Sequence, residues 1–595
     1  MSLSQRLKDR GKMKKYENAS FKIENVGEEI TLYGWISKKR NLGGLVFFDL
    51  RDRSGIIQCV VKPDNIYYEL ASGLNKETVV MVKGTITERE SKNNKIPTGD
   101  IEVLVTELDI INNSIDIPFE IDEHTTALED TRLKYRYLDL RRPNLQQNLM
   151  VRSKVTLIAR NYLSNLGFIE IETPILSKST PEGARDYLVP SRIYNGRFYA
   201  LPQSPQIYKQ LLMIGGIEKY FQIARCFRDE DLRADRQPEF TQIDIEMSFA
   251  NEEDIWATTE GLMQKIFKEI KGINLEKFPR LKYTDCMSRF GSDKPDTRFG
   301  MELLDISYIF KNTSFEVFKT ILQNKGIINS IVVKDSADKF SRKDIDHLTD
   351  TVKTYGAKAL SYLKYQEGEL TGSIAKILSS EEKDHIITDL KLQENDLVLI
   401  VADKKATAQT SLGALRLKIG KELNLIDKSK YNFLWVTDFP MFEYSEEEER
   451  FVAAHHPFTS PNEEDIEKLN SDKENCYSRA YDLVLNGYEL LSGSVRIHDQ
   501  ELQEKVFEAI GMTKEEAEAK FGFFLEAFKY GAPPHCGVGI GLERLIMILQ
   551  DTDNIRDVVA FPKTASAYDL MGSAPDSVSQ KQLKDLGITL ANKEE

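Results

Sequence analysis

The sequence predicts a multidomain α+β protein. Its 595 residues are too many for one domain, and three or four are expected. The first hundred or so residues hold short alternating segments separated by turn residues, the pattern of a small all-β module. Segment 222–249 alternates between apolar and polar residues on both sides of a charged loop, which indicates two paired strands. A block at 292–428 has strands and helices of its own, so it predicts an inserted α/β domain.

These patterns divide the chain into consecutive segments. The expected segments are a β-module at 1–112, whose first 13 or so residues form a leader; a hinge at 113–145; one half of the main domain at 146–291; the inserted domain at 292–428; the second half of the main domain at 429–565; and a C-terminal extension at 566–595. The main domain is therefore expected to be assembled from two stretches that flank the insertion.

Composition narrows the class of protein. The formal net charge of −14 at pH 7 argues against a protein that simply coats nucleic acid, although local basic patches remain compatible with RNA binding. Five cysteines lie scattered without a CxxC pair, which indicates neither a disulfide framework nor a thiolate zinc site. A reducing, cytoplasmic location is expected. No apolar run reaches the roughly 20 residues of a membrane span, so no membrane partner is expected.

The β-module suits an OB-fold, a partly open five-stranded barrel that often binds oligonucleotides. Its candidate strands are Ile30–Ile36, Leu45–Arg51, Ile56–Val61, Val79–Ile86 and Ile101–Ile110. A basic run that ends at Arg40 precedes the aromatic Phe47, and Gln58 follows on the next strand. Cations for phosphates and an aromatic ring for a base make a workable site for single-stranded RNA. On this pattern Phe47 fits the barrel core equally well.

The alternation in segment 222–249 gives its second strand one apolar and one polar face. The apolar series contains Thr241, Ile243, Ile245, Met247 and Phe249. The polar series carries two carboxylates, Asp244 and Glu246, and the first strand places Arg228 on the matching face. Charges of both signs on one sheet face indicate a ligand site, and a solvated hairpin is the alternative.

Two further stretches indicate metal and phosphate chemistry. Asn486-Gly487 predicts a type I′ hairpin turn, and pairing outward from it puts Asp482 diagonal to Glu489 on one face. Two carboxylates so placed fit Mg²⁺, with a solvated acidic pair as the alternative. The stretch 537–544 alternates glycine with apolar residues and runs into an apolar helix, whose N-terminus favours phosphate.

Three of these stretches resemble the signature motifs of class II aminoacyl-tRNA synthetases. The sequence FRDE at 227–230, with the RQPEF that follows it, resembles motif 2, and the spelling GxGxGxER at 537–544 resembles motif 3. The helix predicted from Val151 and the alternating stretch that ends at Pro174 resemble motif 1, which implies a homodimer. The fit is closest to the aspartyl, asparaginyl and lysyl subgroup, and within it to the bacterial-type aspartyl branch, whose insertion the 292–428 block resembles.

The resemblance implies ATP-dependent attachment of L-aspartate to tRNA(Asp) through an aspartyl-adenylate, with Mg²⁺ as the metal and Arg228 and Arg544 as the catalytic residues. The implied nucleotide residues are Arg228, Asp229, Glu230, Arg236, Gln237, Phe240, Glu489, Gly541, Leu542, Glu543 and Arg544. The implied aspartate residues are Glu182, Gln206, Lys209, Arg228, Asp244, Glu246, His455 and Arg496. The implied metal ligands are Asp482 and Glu489. The implied anticodon residues are Arg40, Phe47, Gln58 and Glu102.

Three alternatives stay open on the sequence. An amino-acid-activating ligase that uses no tRNA would not need the basic β-module. A single-strand-binding OB-fold protein would leave the GxGxGxER stretch and the FRDE hairpin unexplained. A sibling synthetase for lysine would need a pocket of the opposite charge, and one for asparagine would not need Lys209.

The roles that the resemblance implies for Glu489 and Arg496 require an irregularity in the strand after the hairpin turn. Strict alternation from Glu489 puts Arg496 on the opposite face, yet both are expected in one pocket. The sequence therefore predicts a one-residue slip at Ser492-Gly493-Ser494, since glycine inside a strand often marks a bulge. A regular strand with Arg496 on the outside is the alternative.

Overall fold

The computed structural model describes residues 16–180, 183–232, 235–446 and 448–591. Two expected features, the N-terminal leader and the substrate residue Glu182, lie outside the described residues. The chain divides into two compact units. The first comprises Met1–Ser153, Leu232–Gln237 and Thr552–Ser577, and the second comprises Lys154–Asp231, Pro238–Asp551 and Val578–Glu595. Within the described ranges, no helix is both long and apolar enough to cross a membrane.

The first unit contains a closed five-stranded barrel in the order β1-β2-β3-β5-β4. Its elements are β1 (Glu29–Leu42), β2 (Leu45–Asp52), β3 (Gly55–Val61), α1 (Tyr68–Ser72), β4 (Val79–Glu88) and β5 (Ile101–Asn112). All five predicted strands are confirmed. Phe48 lies in the apolar core, whereas its neighbour Phe47 is only partly buried and faces the other way. The barrel-core alternative for Phe47 is therefore excluded.

The hinge in the first unit is helical and is held by buried charges. Its elements are α2 (Glu129–Lys134) and α3 (Arg136–Asp139), and the long helix α4 (Pro143–Asn165) follows with a proline in its first position. The buried carboxylate of Glu77 accepts hydrogen bonds from Arg51 at 2.5 Å and from Arg141 at 2.7 Å. One carboxylate thus ties strand β2 of the barrel to the hinge.

The second unit holds the remaining elements. The first half of the main domain contributes β6 (Ile169–Glu170), β7 (Leu188–Pro190), β8 (Phe198–Ala200), α5 (Gln206–Ile214), β9 (Lys219–Phe227), β10 (Glu239–Ser248), α6 (Glu252–Lys271), β11 (Arg280–Lys282) and α7 (Tyr283–Phe290). The inserted segment contributes β12 (Leu304–Asp305), α8 (Glu316–Gln323), β13 (Ile327–Val333), α9 (Arg342–Thr354), β14 (Ser361–Gln366), β15 (Glu369–Gly372), α10 (Ser380–Asp389), β16 (Asp396–Asp403) and α11 (Lys405–Glu422). The second half contributes β17 (Phe433–Thr437), β18 (Phe442–Ser445), β19 (Arg450–Ala453), α12 (Lys468–Ser471), β20 (Ala480–Leu485), β21 (Tyr488–Val495), α13 (Gln500–Ala509), α14 (Lys514–Phe528), β22 (His535–Gly541) and α15 (Leu542–Leu549), and α16 (Gln580–Leu586) follows.

An eight-stranded sheet in the order β11-β17-β20-β21-β22-β10-β9-β6 forms the centre of the second unit. Strands from both sides of the insertion alternate in it, so the two stretches of the main domain build one sheet. Its inner pairs are antiparallel, and the edge pairs β11–β17 and β6–β9 are parallel. The apolar series of β10, including Ile243 and Ile245, is buried on one face, as predicted.

Two strand predictions need correction. The stretch that ends at Pro174 is predicted as a strand, but only Ile169–Glu170 pair with β9, because β6 is the edge strand and is hydrogen-bonded on one side only. Phe249 is predicted on the buried face, yet it is 71% exposed. Strand β10 ends one residue earlier, and the φ angle of Phe249 is +56°, outside strand geometry.

The inserted segment forms a separate five-stranded sheet in the order β12-β13-β16-β14-β15. Its strand pairs are all antiparallel, so it is a sheet with packed helices rather than a parallel α/β domain. Apolar cores lie on both faces of the central strand β16, one around Leu399 and one around Val398. The insertion therefore has hydrophobic cores of its own.

Candidate functional site

The polar face of the central sheet gathers the predicted site residues around a row of glycines. In the register of β10 and β22, Asp244 lies opposite Gly539 and Glu246 lies opposite Gly537. A Cβ atom at Gly537 would lie 1.9 Å from a carboxylate oxygen of Glu246. Glycine is therefore required at this position, because the carboxylate occupies the space that any side chain would fill.

The β20–β21 hairpin brings Glu489 and Arg496 to this same face by a one-residue slip. Val484 pairs with Glu489 and Leu483 pairs with Leu491, so Leu490 has no partner on β20. The turn residues Asn486 and Gly487 both have positive φ, as a type I′ turn requires.

The position predicted for the slip is wrong. The ladder is regular through Gly493, where a Cβ atom would lie 2.2 Å from the carbonyl oxygen of Gly537. That glycine marks a close approach of two strands, and the extra residue lies nearer the turn. The slip nevertheless places Ser494 and Arg496 on the face of Glu489, so the alternative of a regular strand is excluded.

Four buried charged side chains form the centre of the site. The Lys209 ammonium on α5 donates to Asp244 at 2.7 Å and lies 3.4 Å from Glu246. The Arg496 guanidinium donates to both oxygens of Glu246, at 3.0 and 3.2 Å, and to the Ser494 hydroxyl at 2.6 Å. Two cations and two carboxylates are thus paired away from water, where such pairs hold their geometry.

The two carboxylates respond differently to this burial. Loss of solvation raises the pKa of Asp244 despite the neighbouring Lys209. Burial acts in the same direction on Glu246, but the charges of Arg496 and Lys209 outweigh it and lower the pKa of Glu246. Among the described residues, Oδ2 of Asp244 is buried without a hydrogen-bond partner. Arg496 therefore already compensates the charge of Glu246, whereas Oδ2 of Asp244 can accept a hydrogen bond from a ligand.

Two adjacent histidines line the site, and their pKa values shift in opposite directions. Nε2 of His456 lies 2.7 Å from a guanidinium nitrogen of Arg496, and burial with that positive charge holds the pKa of His456 well below its ordinary value. Burial also favours neutral His455, but the negative charge of Asp482, whose carboxylate lies 3.9 Å from Nε2, outweighs it and raises the pKa of His455. His455 was predicted here; His456 was missed, although the His-His doublet was its signal.

The predicted nucleotide residues of the second unit lie along the same sheet. The Arg228 guanidinium lies 5.2 Å from the centre of the Phe240 ring, and its Nε is buried without a hydrogen-bond partner among the described residues. Arg544 donates to the backbone carbonyl of Glu489. The Glu543 carboxylate accepts the backbone N–H of Thr241, so Glu543 holds β10 against α15.

The other predicted nucleotide residues have structural contacts of their own. Gly541 caps α15 and Leu542 is fully buried as its first residue. Asp229 pairs with Arg185 through its backbone, and Glu230 is partly buried beside it. Arg236 and Gln237 belong to the first unit, where Gln237 exchanges two hydrogen bonds with the Lys563 backbone at 3.1 and 2.8 Å. Gln206 is buried on α5, with an amide nitrogen that has no hydrogen-bond partner among the described residues.

The two predicted metal ligands interact electrostatically. Burial and the charge of Asp482 raise the pKa of Glu489. One oxygen of Asp482 is buried and has no hydrogen-bond partner within the described ranges. Among the described residues, no group of three or more His, Cys, Asp or Glu side chains is placed to hold a metal ion. Two repelling carboxylates fit a divalent cation that takes its remaining oxygens from water and phosphate.

The predicted RNA residues lie together on the outer face of the barrel. Arg40 pairs with Phe47 across β1 and β2, and Gln58 pairs with Glu102 across β3 and β5. The Gln58 amide donates to Glu102 at 2.6 Å and accepts from Arg89 at 2.9 Å. Arg89 was missed because it follows the end of β4, where the strand pattern gives no signal.

Comparison with known proteins agrees with this arrangement. The model of the family described as tRNA synthetases class II (D, K and N) matches residues 128–565, and the model of OB-fold nucleic acid binding domains matches residues 30–111. The aspartate–tRNA ligase of Staphylococcus epidermidis is 55% identical over 95% of this chain and 97% of its own. That of Staphylococcus aureus is 54% identical over the same shares.

Solved structures show the same fold. The aspartyl-tRNA synthetase of Entamoeba histolytica has a TM-score of 0.58 at 21% identity, covering 94% of each chain. The asparaginyl-tRNA synthetase of Pyrococcus horikoshii with asparaginyl-adenylate has a TM-score of 0.58 at 20% identity, covering 93% of this chain and 99% of its own. From the matched models, the close relatives and the shared fold, the chain belongs to the class II tRNA synthetases of the D, K and N family.

Proposed function

We propose that the chain is an aspartate–tRNA ligase, the activity named for its Staphylococcus relatives. In the first step the α-carboxylate of L-aspartate attacks the α-phosphorus of ATP. A new P–O bond forms as the bond to pyrophosphate breaks, which gives aspartyl-adenylate. In the second step a 3′-terminal ribose hydroxyl of tRNA(Asp) attacks the acyl carbon and AMP leaves. No protein nucleophile is needed, so positioning and charge supply the catalysis.

The observation that carries this proposal is the buried cation pair of Lys209 and Arg496 on the sheet face. Within the described part of the chain, four of the five N–H groups of Arg496 contact Glu246, Ser494 and His456, and the fifth can donate to a ligand. Lys209 donates to Asp244 at 2.7 Å and only weakly, at 3.5 Å, to the Val538 carbonyl. The side-chain carboxylate of the substrate, placed between Lys209 and Arg496, would accept hydrogen bonds from both cations. A neutral amide there would place its own N–H donors against the donors of the two cations, which is unfavourable.

The substrate ammonium has a matching acceptor. Oδ2 of Asp244 is buried and has no hydrogen-bond partner among the described residues. The substrate ammonium would donate a hydrogen bond to it and so satisfy a buried acceptor, whose lack of a partner is energetically unfavourable. Glu246, already paired with Arg496, holds the cation pair in place. His455, Gln206 and Glu182 remain proposed substrate contacts on the family resemblance.

The polyphosphate of ATP would lie over the β21–β22 edge of the site. Arg228 and Arg544 bring positive charge to the transferring phosphorus, with Phe240 as a platform for adenine. Asp229, Glu230 and the Gly541–Leu542–Glu543 turn complete the nucleotide set proposed for the second unit. Arg236 and Gln237 remain proposed nucleotide contacts on the family resemblance alone. Mg²⁺, held by Asp482 and Glu489, would neutralise phosphate charge when bound.

The outer face of the barrel is the proposed anticodon site. Phe47 is placed to stack on a base, and Arg40 lies directly across from it. Gln58 and Glu102 would read base edges, since their side chains form a hydrogen-bonded pair on the same face.

The proposed assembly is a homodimer in the cytoplasm. Helix α4 and the segment after it expose Leu157, Ile169 and Leu176 at 56%, 50% and 52%. Apolar side chains exposed together near one helix indicate a protein contact surface. All five cysteines are buried and none of them forms a disulfide, which fits a reducing compartment.

The test is ATP–pyrophosphate exchange with each of the three amino acids aspartate, asparagine and lysine. Exchange should depend on aspartate and be at least about 100-fold slower with asparagine, because a buried charge pair rejects its neutral analogue strongly. Charging of purified tRNA(Asp) should then follow. Exchange that prefers asparagine or lysine, or exchange without any transfer to tRNA, would contradict the proposal.

A further inference from the structure

The two ends of the insertion meet at one place in the main domain, the turn of the β20–β21 hairpin. A junction loop (residues 292–301) follows α7 and precedes β12, and a connector (residues 423–432) follows α11 and precedes β17. The connector bonds to Asn486 and the junction loop packs on Gly487, and all of these residues lie within the second unit. The turn is therefore held from both ends of the insertion.

The first turn residue, Asn486, is buried and makes three hydrogen bonds with the connector. Its side-chain amide donates to the Lys430 carbonyl at 2.9 Å. Its side-chain oxygen accepts the backbone N–H of Asn432 at 2.9 Å, and its own backbone N–H donates to the Asn432 carbonyl at 3.2 Å. The turn cannot move away from the connector without breaking these bonds.

The second turn residue, Gly487, packs on the junction loop. A Cβ atom at Gly487 would lie 3.2 Å from that of Asp296, which is buried and is held by Arg298 through both carboxylate oxygens. The side-chain amide of Asn432 donates to the Thr297 carbonyl at 3.1 Å. Asn432 therefore joins the connector, the junction loop and the turn.

Helix α11 of the insertion holds the junction loop through Arg416. The Arg416 guanidinium is buried and lies 4.0 Å from the centre of the Phe299 ring. A Cβ atom at Gly420 would lie 2.7 Å from the same ring, so the helix packs on the loop with no room for a side chain there. The guanidinium also donates, at 2.9 to 3.0 Å, to the backbone carbonyls of Asp296, Phe299, Gly300 and Met301.

The held turn lies two residues from a contact of Arg544. Glu489 pairs with Val484 on β20, and its backbone carbonyl accepts a hydrogen bond from the Arg544 guanidinium. Because the acceptor belongs to the backbone, its position depends on where the end of the hairpin lies and not on a side-chain rotamer. A displaced turn would therefore move the acceptor that orients Arg544.

This end of the hairpin has less support from the sheet than the rest of β21. The described ladder between β21 and β22 covers residues 491–495, and the ladder between β20 and β21 skips Leu490. Residues 488–490 therefore lie outside the β21–β22 ladder and next to an interruption of the other one. The contacts with the connector and the junction loop stabilise the hairpin where the sheet does not.

We propose that Asn432 and Arg416 are positioning residues for the Arg544 guanidinium, acting through the β20–β21 turn and the Glu489 carbonyl. The inference rests on the proposed function, because it assigns Arg544 to the transferring phosphate of ATP. A cation stabilises that phosphate only when it is aimed at it in advance, so a small shift of the hairpin weakens its effect. The insertion thereby supports the nucleotide site from both of its ends.

The first experiment is aspartate-dependent ATP–pyrophosphate exchange by the full chain, without tRNA. Asn432→Asp keeps the size of the side chain but removes its amide donor, so it should raise the KM for ATP about 10-fold. The KM for aspartate should change less than about 2-fold, because the buried pairs of Lys209 and Arg496 do not involve the turn. Ser429→Ala is the matched control, since its hydroxyl bonds to Asp427 within the connector, and it should behave as wild type.

Arg416→Lys tests the same role from the other end of the insertion. It keeps the charge but loses the planar fork that contacts four carbonyls, so it should raise the KM for ATP as Asn432→Asp does. Arg289→Lys is its control, because Arg289 is a half-exposed arginine of α7 that pairs with Glu302. A loss of stability alone would lower the active fraction and kcat, without a selective rise in the KM for ATP.

A double-variant cycle tests whether the effect passes through Arg544. The dissociation constant of ATP, measured by equilibrium dialysis without aspartate, should rise in Arg544→Ala and in Asn432→Asp. In the double variant it should exceed that of Arg544→Ala by less than about 2-fold, since the positioned group is already absent. Hydrogen exchange without ligand should be faster at residues 486–490 in Asn432→Asp and unchanged at residues 492–495.

The outcomes separate this inference from the proposed function. Wild type that binds ATP without aspartate-dependent exchange would contradict the proposed function, and the binding cycle would still test the positioning role. Unchanged constants for ATP in Asn432→Asp and Arg416→Lys would overturn that role. Equal rises in the KM for ATP and for aspartate would also overturn it, as would full additivity of Asn432→Asp and Arg544→Ala.

Discussion

The outer face of the barrel and the polar face of the catalytic sheet both present charged residues to a ligand, but they hold them differently. On the barrel, Arg40 is exposed and Phe47 is partly buried, and the two lie opposite each other on neighbouring strands. On the sheet, Lys209, Glu246 and Arg496 are buried and bonded to one another.

This difference follows from what each face has to recognise. An RNA base is large and brings its own stacking surface, so an exposed aromatic ring suffices. A small amino acid must be told from its neutral analogue, which requires charges fixed away from water. We therefore expect barrel-face substitutions to affect one step, and sheet-face substitutions to affect stability as well.

The strongest test of that contrast is Glu246→Ala. It leaves Arg496 buried without its carboxylate, which should lower the free energy of unfolding by about 3–5 kcal/mol. Urea unfolding followed by tryptophan fluorescence measures this, since Trp256 and Trp435 are buried in the same unit. Glu239→Ala, on the same strand in a half-exposed pair with Arg225, is the control and should cost at most about 1 kcal/mol. If Glu246→Ala and Glu239→Ala lowered the free energy of unfolding equally, the buried and the exposed ion pair would not differ in their contribution to stability.

Arg228→Ala tests the comparison further, because Arg228 is only partly buried and its Nε has no hydrogen-bond partner among the residues that the structure describes. Adenylate formation should fall about 10²- to 10³-fold, since a charge aimed at the transferring phosphate is lost. Stability should change little. Pyrophosphate exchange measures the first effect and urea unfolding the second. Arg225→Ala, on the opposite face of the same strand, should exchange normally; near-normal exchange in Arg228→Ala would refute the role of Arg228.

Phe47→Ala tests the barrel side. Loss of one base stack of about 1–3 kcal/mol should lower kcat/KM for tRNA about 5- to 150-fold, with aspartate activation unchanged. Charging and exchange assays on the same preparation separate the two. Phe48→Ala is the control, because Phe48 lies in the barrel core and its loss should lower stability instead. Parallel loss of charging and activation in Phe47→Ala would contradict its role in RNA binding.

The smallest expected effect concerns pH. The pKa of His456 is held well below 6.5 in the folded protein, so below pH 6.5 the unfolded chain gains a proton that the folded chain does not. The free energy of unfolding should therefore fall as pH drops, by at most about 1.4 kcal/mol per pH unit from this group. His456→Asn should reduce that slope in urea unfolding at pH 5 to 6.5.

The neighbouring histidine supplies the matched variant for this measurement. The pKa of His455 is raised, so its contribution to stability is present below pH 6.5 and is lost as pH rises through the folded value. His455→Asn should therefore change the slope in the opposite sense. Equal slopes in wild type and His456→Asn would mean that His456 does not keep its depressed pKa.

Much of the fold could be predicted because it depends on local alternation. The five barrel strands and the apolar series of β10 through Met247 follow from a period of two, and the Asn486-Gly487 turn follows from backbone preference. The position of the strand slip could not be predicted, because glycine in a strand marks either a bulge or a close approach. Only the neighbouring strand shows that Gly493 is the second case.

Contacts between distant segments were also beyond the sequence. His456 reaches Arg496 across 40 positions, and Gln237 reaches Lys563 across 326. Such pairs depend on how whole strands and loops are arranged. The local sequence around His456 or Gln237 does not indicate which distant residue it will contact. The antiparallel sheet of the insertion was missed for the same reason, because strand direction depends on which strands become neighbours.

The extra residue at Leu490 has a genetic consequence. Loss of its single codon would keep the reading frame and leave β20 and β21 able to pair without a slip. The pairs Val484–Glu489 and Leu483–Leu491 would then follow one another in a regular ladder, so Ser494 and Arg496 would stay on the face of Glu489. In a library of mutant genes, in-frame deletions at this codon should therefore be recovered among clones that support growth, as should Leu490→Met.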